Sequence, residues 1–142
     1  MGVCTRLVQA RALAALVVCI LRMLYRLRVS NQRWRLYTSM LIRENRWRAM
    51  RYSIDEGLVD MGQGRIVPFA QLLEELLELT AEDAEALGCS EELSVLRQIL
   101  QRGTSAHRQL AACAEARAAG ADSDGVMRAV VDQLIRDTAE GL

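Results

Sequence analysis

The segment Glu44-Asn45-Arg46-Trp47-Arg48-Ala49-Met50-Arg51-Tyr52 concentrates groups that hold anions: Asn45, Arg46, Arg48 and Arg51 stand within seven positions. At about 100° per residue on a helix, Glu44, Arg48 and Arg51 fall within an arc of about 60°, flanked by Asn45 and Tyr52, while Ile42, Arg46 and Met50 point elsewhere. Two guanidiniums on one face can grip a phosphate or carboxylate with paired hydrogen bonds, a geometry that a lone ammonium lacks. This suits an acid substrate or an acyl-phosphate intermediate. The alternative is a salt-bridged helix in which Glu44 neutralises Arg48 at i, i+4 and the other arginines meet the acidic half of the chain.

Charge is divided along the sequence. Residues 1–54 carry eleven Arg and one Glu, residues 55–142 carry seven Arg and seventeen Asp or Glu, and the halves of +10 and −10 cancel to net zero. Opposed halves can neutralise each other, and the basic one can also hold phosphates, carboxylates or nucleic acid. All eighteen basic residues are Arg, a choice that GC-rich coding favours, so the count itself carries little functional weight. Trp34, Tyr37, Trp47 and Tyr52 offer stacking platforms in the basic half, yet no nucleic-acid-binding motif accompanies them and they read as core.

Other chemistries lack their spacing. Cys4, Cys19, Cys89 and Cys113 contain no C-x-x-C pair and read as reduced thiols of a cytoplasmic protein. His107, the only histidine, has no Cys or carboxylate at metal-ligand spacing and reads as a solvated helix residue, so no metal site is expected. The most apolar stretch, Ala12 to Leu21, is ten residues between Arg11 and Arg22, short of the about 20 that a spanning helix needs. No small-residue cleavage site follows it, and Arg6 stands where N-myristoylation wants Ser or Thr. The expectation is no membrane and no nucleic-acid partner.

The elements that carry these residues are mostly helical. A length of 142 residues with 51% apolar and 4% aromatic residues and a single Pro fits one mainly α domain with a real core. Residues 7–27 are apolar on nearly every face, which marks a helix buried among other elements. Ser30-Asn31-Gln32 breaks it, and a second helix runs from Leu36 to about Arg51. Gly57-Leu58-Val59-Asp60 and Arg65-Ile66-Val67 around Met61-Gly62-Gln63-Gly64 predict a small β-hairpin.

Pro68 then opens a helix with Leu72, Leu73, Leu76 and Leu77 on one face and Glu74, Glu75 and Glu78 turned away. Thr80 and Asp83 resemble a cap for a short helix ending at Gly88, and Ser90 starts another that stops at Gly103. Two more follow, Ser105 to Ala119 and one from Asp122 or Asp124 with Val126, Val130, Leu134 and Ile135 inward.

The Glu44–Tyr52 segment resembles the Glu-Asn-Arg/Lys-Trp-x-Ala-x-Arg-Tyr-Gly segment in the C-terminal region of the bacterial carboxylate–amine ligases of the glutamate–cysteine ligase family. The resemblance continues through the Leu58-Val59-Asp60 strand, the glycine turn, Pro68, the Leu72-Leu73-Glu74-Glu75-Leu76-Leu77 helix, Leu87-Gly88-Cys89 and Gly103-Thr104 to the last helix. Upstream, Val3-Cys4-Thr5-Arg6-Leu7 resembles the end of a family strand leading into the long apolar helix. Motif order and element lengths agree along almost the whole chain. There are two departures: Ser53 stands in place of Gly, and Val8-Gln9 in place of an acidic pair. If Gly takes φ > 0 there, Ser53 is strained by about 1 kcal/mol or more.

The resemblance implies the C-terminal helical part of a glutamine synthetase-like α+β fold, residues 1–142 forming one fragment with a basic helical part (1–54) and an acidic part of hairpin and helices (55–142). It implies an enzyme that uses ATP and magnesium to make a γ-glutamyl phosphate from a glutamate-like carboxylate, which an amine attacks. The family's nucleotide- and metal-binding carboxylates lie on a sheet encoded ahead of this chain's first residue. Asn45, Arg46, Arg48 and Arg51 are then substrate- or phosphate-binding, no catalytic residue lies within the chain, and the chain alone is inactive. Completion would come from an N-terminal partner chain, or the chain forms a homo-oligomer. The competing reading is a non-catalytic helical interaction module or a degenerate remnant, which would self-associate through its apolar first helix.

Overall fold

The computed structural model describes residues 4–33 and 37–140. Among these, seven helices and one two-stranded sheet occur: α1 (Leu7–Val29), α2 (Ser39–Tyr52), β1 (Leu58–Asp60), β2 (Arg65–Val67), α3 (Phe69–Leu79), α4 (Ala81–Leu87), α5 (Ser90–Arg102), α6 (Ser105–Ala118) and α7 (Ser123–Ala139). The mainly α fold with one small hairpin matches the composition. Trp34 and Leu36, the expected start of the second helix, lie outside the described residues, as does Val3.

Two compact units form, Met1–Ala14 with Ser94–Leu142, and Ala15–Leu93. In the second unit Cys19, Met23, Val67, Leu73, Leu77, Ala84 and Leu93 are buried. The α3 leucines divide as their spacing requires, Leu73 and Leu77 buried and Glu75 and Glu78 exposed. Pro68 stands at the N-cap of α3, where its missing N–H costs nothing.

The hairpin is antiparallel, with Leu58 opposite Val67, Val59 opposite Ile66 and Asp60 opposite Arg65. Its turn is closed by Asp60 Oδ1, which accepts from the N–H groups of Gly62 at 2.7 Å and Gln63 at 3.1 Å. Gly57, at φ +71°, enters β1 so close to the next strand that a Cβ would stand 2.3 Å from the Val67 carbonyl oxygen. No other residue fits there.

Thr80 and Asp83 do not cap α4 as their spacing suggests. The Thr80 hydroxyl donates back to the Leu76 carbonyl at 2.8 Å, and the fully buried Asp83 receives Arg22 at 2.5 Å and Arg26 at 3.1 Å. A buried carboxylate needs a cation more than a helix start needs a cap. Gly88 ends the helix in the left-handed conformation, as expected.

In the unit Met1–Ala14 with Ser94–Leu142, Ala12, Leu96 and Val126 are buried. Asp122 caps α7 by accepting from Gly125 N–H at 2.8 Å. Ile135, expected inward, is exposed, and the buried group near that end of α7 is Asp137. It accepts from Arg108 Nε at 2.8 Å, Arg6 Nε at 3.2 Å, Gln133 Nε2 at 3.0 Å and the Thr5 hydroxyl at 3.2 Å. These donors satisfy the carboxylate and tie the chain's beginning to its last helix.

The apolar first helix also departs from expectation. At 23 residues α1 extends past both arginines that bound its most apolar stretch, and is long and apolar enough to cross a membrane by length and composition. Only 22% of its most apolar window is buried, so it is not a helix enclosed on every side.

Candidate functional site

The candidate site is the helix that carries the cationic segment. Thr38 caps α2 by accepting from Leu41 N–H at 3.5 Å, and α2 contains no buried residue. Its far end is set by Ser53, at φ +56° and ψ −121°, whose N–H bonds the Ala49 carbonyl at 3.1 Å. Ser53 therefore takes a positive φ, the conformation that glycine adopts freely. Trp47 and Tyr52 meet edge to face with ring centroids 5.6 Å apart, and the Arg48 guanidinium lies 5.6 Å over the Tyr52 ring. Trp47, expected in the core, is 48% exposed.

The four sequence-selected residues divide into two pairs. Asn45 acts as a surrogate strand: its Nδ2 donates to the Val59 carbonyl at 2.9 Å and its Oδ1 accepts from the Val59 N–H at 2.7 Å. Arg48 Nε donates to the Gly57 carbonyl at 3.1 Å and its Nη2 to the Glu56 carbonyl at 3.0 Å. These bonds fasten β1 and the loop before it to α2, and explain why an amide and a fork-shaped guanidinium stand at this i, i+3 spacing.

Arg46 and Arg51 are exposed, and no hydrogen bond or ion pair joins either to another described residue. The salt-bridged alternative fails at its key pair, since Glu44 makes no ion pair with Arg48 among the described residues. Self-neutralisation does occur elsewhere, with Arg6 on Asp137 and Glu140, and Arg22 and Arg26 on Asp83 and Glu82. Arg51 shares the Arg48 arc of the helix, and Arg46 stands on a different side. The geometry thus offers a fixed guanidinium beside one that has no partner among the described residues.

The buried ion pairs and thiols were not legible in the sequence as sites. Burial alone would raise the Asp83 carboxyl, but hydrogen bonds from Arg26 and Arg22 hold it below the usual carboxylate range. Burial likewise opposes ionisation of Asp137, and bonds from Arg108 and Arg6 reverse it. Cys19 and Cys89 approach to 3.3 Å between sulfurs. Burial first, then the Cys89 contact, push the Cys19 thiol up to about 11. Each of these pairings joins residues at least 29 apart in the chain, and no local spacing signals it.

His107 is half-buried and shapes a helix start rather than standing in solvent. Its Nδ1 accepts from the Thr104 N–H at 3.2 Å and lies 2.7 Å from the Thr104 hydroxyl. No group of three or more His, Cys, Asp or Glu among the described residues is arranged to hold a metal ion. An open hollow of about 520 Å³ lies between α6 and α7, lined chiefly by Ala111, Ala112, Ala116, Ala119 and Ala129. It includes none of the four candidate residues.

Comparison with known proteins places the chain in a class of ligases. The family description "Glutamate-cysteine ligase family 2" matches residues 1–133, and the chain belongs to that family. Relatives named "Putative glutamate--cysteine ligase 2" include one from Rhodospirillum rubrum, 60% identical over 140 residues, covering 99% of this chain and 36% of the relative. Others come from Jannaschia sp., 50% identical over 132 residues (93% of this chain, 35% of the relative), and Ruegeria pomeroyi, 47% identical over 137 residues (96% and 35%). The chain spans about a third of the length of these curated relatives and corresponds to their C-terminal part. No solved structure matches it.

Proposed function

We propose that the chain acts as the C-terminal portion of an ATP-dependent carboxylate–amine ligase that forms γ-glutamyl amides through an acyl phosphate, and that it does not turn over substrate alone. The carrying observation is the division of labour on α2. Asn45 and Arg48 are consumed in holding the hairpin, while Arg51, on the Arg48 arc, has no partner among the described residues. A preset cation of this kind stabilises negative charge that develops on a carboxylate or transferring phosphoryl group. Arg51 is the contact residue in this reading, Asn45 and Arg48 are positioning residues, and Arg46 contributes from an adjacent side.

In this reading, as the family resemblance implies, ATP, magnesium and the carboxylates that hold them belong to the larger part of the ligase. Glutamate-like and amine substrates follow from the relatives' name. A cytoplasmic setting belongs to the same reading, all four cysteines being free thiols.

The test compares the 142-residue chain with a fusion in which it replaces the corresponding 36% of the R. rubrum relative. Each is supplied with ATP, magnesium, glutamate and cysteine. Expected is phosphate release coupled to γ-glutamylcysteine in the fusion and none in the chain alone. Turnover by the chain alone would overturn the incompleteness, and an inert but folded fusion would overturn the ligase role.

A further inference from the structure

Within the unit Ala15–Leu93, α1 has two unlike sides. Cys19 and Met23 are buried, and Arg22 and Arg26 reach Asp83. At about 100° per residue, Val17, Val18, Leu21, Leu24, Tyr25 and Val29 fall within an arc of about 140° on the opposite side. All six are exposed, Leu21 at 61%, Tyr25 at 70% and Val29 at 69%. Arg28 is the only charged residue of 15–29 on that arc. A contiguous apolar stripe on a helix is a surface shaped to be covered.

We propose that this stripe is the seat on which the larger, remaining part of a glutamate–cysteine ligase packs, through an apolar surface that ends in a carboxylate facing Arg28. The inference rests on the reading above, that the chain is one portion of such a ligase. The relatives carry nearly two thirds of their length outside the matched region, which is ample to cover one helix face. A second copy meeting helix to helix falls short, because an interface between separate chains takes about 20–30 residues a side and the stripe offers six, whereas in the relatives the remaining part is continuous with the matched region and needs no such area. A bilayer is disfavoured despite the helix's length: threading α1 through lipid would strip Arg22 and Arg26 from Asp83, which is fully buried, and carry those charges into hydrocarbon.

Cysteines placed singly at Val17, Leu21 and Tyr25 test the proposal, labelled with a maleimide and read peptide by peptide by mass spectrometry. They are introduced into the 142-residue chain, into the fusion, and at the aligned positions of the intact R. rubrum relative, which keeps the test informative if the fusion misfolds. Expected is labelling at least tenfold slower in the fusion and the intact relative than in the 142-residue chain, independent of protein concentration. Equal labelling in all three overturns the proposal. Protection that disappears on dilution assigns the stripe to a second copy, and protection that needs phosphatidylglycerol–phosphatidylethanolamine vesicles assigns it to a bilayer; both overturn it. Failure is separable from that of the ligase reading, since an active fusion with a reactive stripe refutes only the docking surface, and a protected stripe in an inert fusion refutes only the activity.

Discussion

The sulfurs of Cys19, in the middle of α1, and Cys89, just before α5, stand 3.3 Å apart as free thiols. Burial pushes the Cys19 thiol up to about 11, against about 8.5 for an ordinary thiol, so its thiolate fraction at neutral pH is lower by on the order of a hundredfold. Iodoacetamide at neutral pH is expected to modify Cys19 at least that much more slowly than the same residue in urea-unfolded protein. Peptide-level mass spectrometry reads the rates, and equal ones would contradict the burial of Cys19.

Asn45 is expected to matter to stability even without any ligand. Asn45→Ala removes both bonds to the Val59 peptide group, a loss of about 1–3 kcal/mol when buried polar groups go unpaired. The variant's urea midpoint should fall and the Val59 amide should exchange hydrogen faster. Asn45→Asp, which sets a carboxylate oxygen against the Val59 carbonyl in place of the donor, should also lower the midpoint. Unchanged midpoints and exchange would show that α2 does not hold β1 in this way.

Ser53 occupies a conformation that favours glycine, at φ +56°. Strain of this kind costs on the order of 1–3 kcal/mol, partly offset by glycine's larger unfolded entropy. Ser53→Gly is therefore expected to stabilise the chain by about 1 kcal/mol in thermal or urea unfolding. A loss of stability would place Ser53 outside the positive-φ region.

Both buried carboxyls, Asp83 and Asp137, are held below the ordinary range by their arginines. The folded chain thus releases these protons more readily than the unfolded one, whose aspartates titrate near 3.9. The stabilisation is complete above about pH 5 and is lost as pH falls through the lower folded values. Urea midpoints should be level between about pH 5 and 7 and drop below about pH 4, and Asp83→Asn and Asp137→Asn should be weaker than the parent at neutral pH and converge on it in acid. A parent midpoint that stays level down to about pH 2.5 would contradict the pairing.

What was legible in the sequence was periodic or punctuated. The leucines of α3, the Gly57–Val67 hairpin, the Gly88 stop and the Asp122 cap each rest on interactions within a few residues, and each appears where the pattern places it. Asp83 looked like a cap because its spacing from Thr80 fits one, and only the approach of α1 gives it Arg22 and Arg26. Asp137 and the Cys19–Cys89 contact were hidden for the same reason. At the candidate site the helix and its cations were visible, but the division between Asn45 and Arg48, spent on Val59, Gly57 and Glu56, and the exposed Arg51 was not. The apolar first helix read as buried all round because composition cannot tell a covered apolar face from an exposed one.

The most direct measurement of the α2 role is kcat/KM for γ-glutamylcysteine formation by the fusion, with Arg51→Ala set beside Arg43→Ala, a substitution at an exposed position earlier on the same helix. Loss of a preorganised donor to developing charge costs about 10²–10³-fold, so Arg51→Ala should fall by that factor while its urea midpoint stays unchanged and Arg43→Ala stays near the parent. An Arg51→Ala fusion within twofold of the parent would show that this guanidinium touches neither substrate nor phosphoryl group.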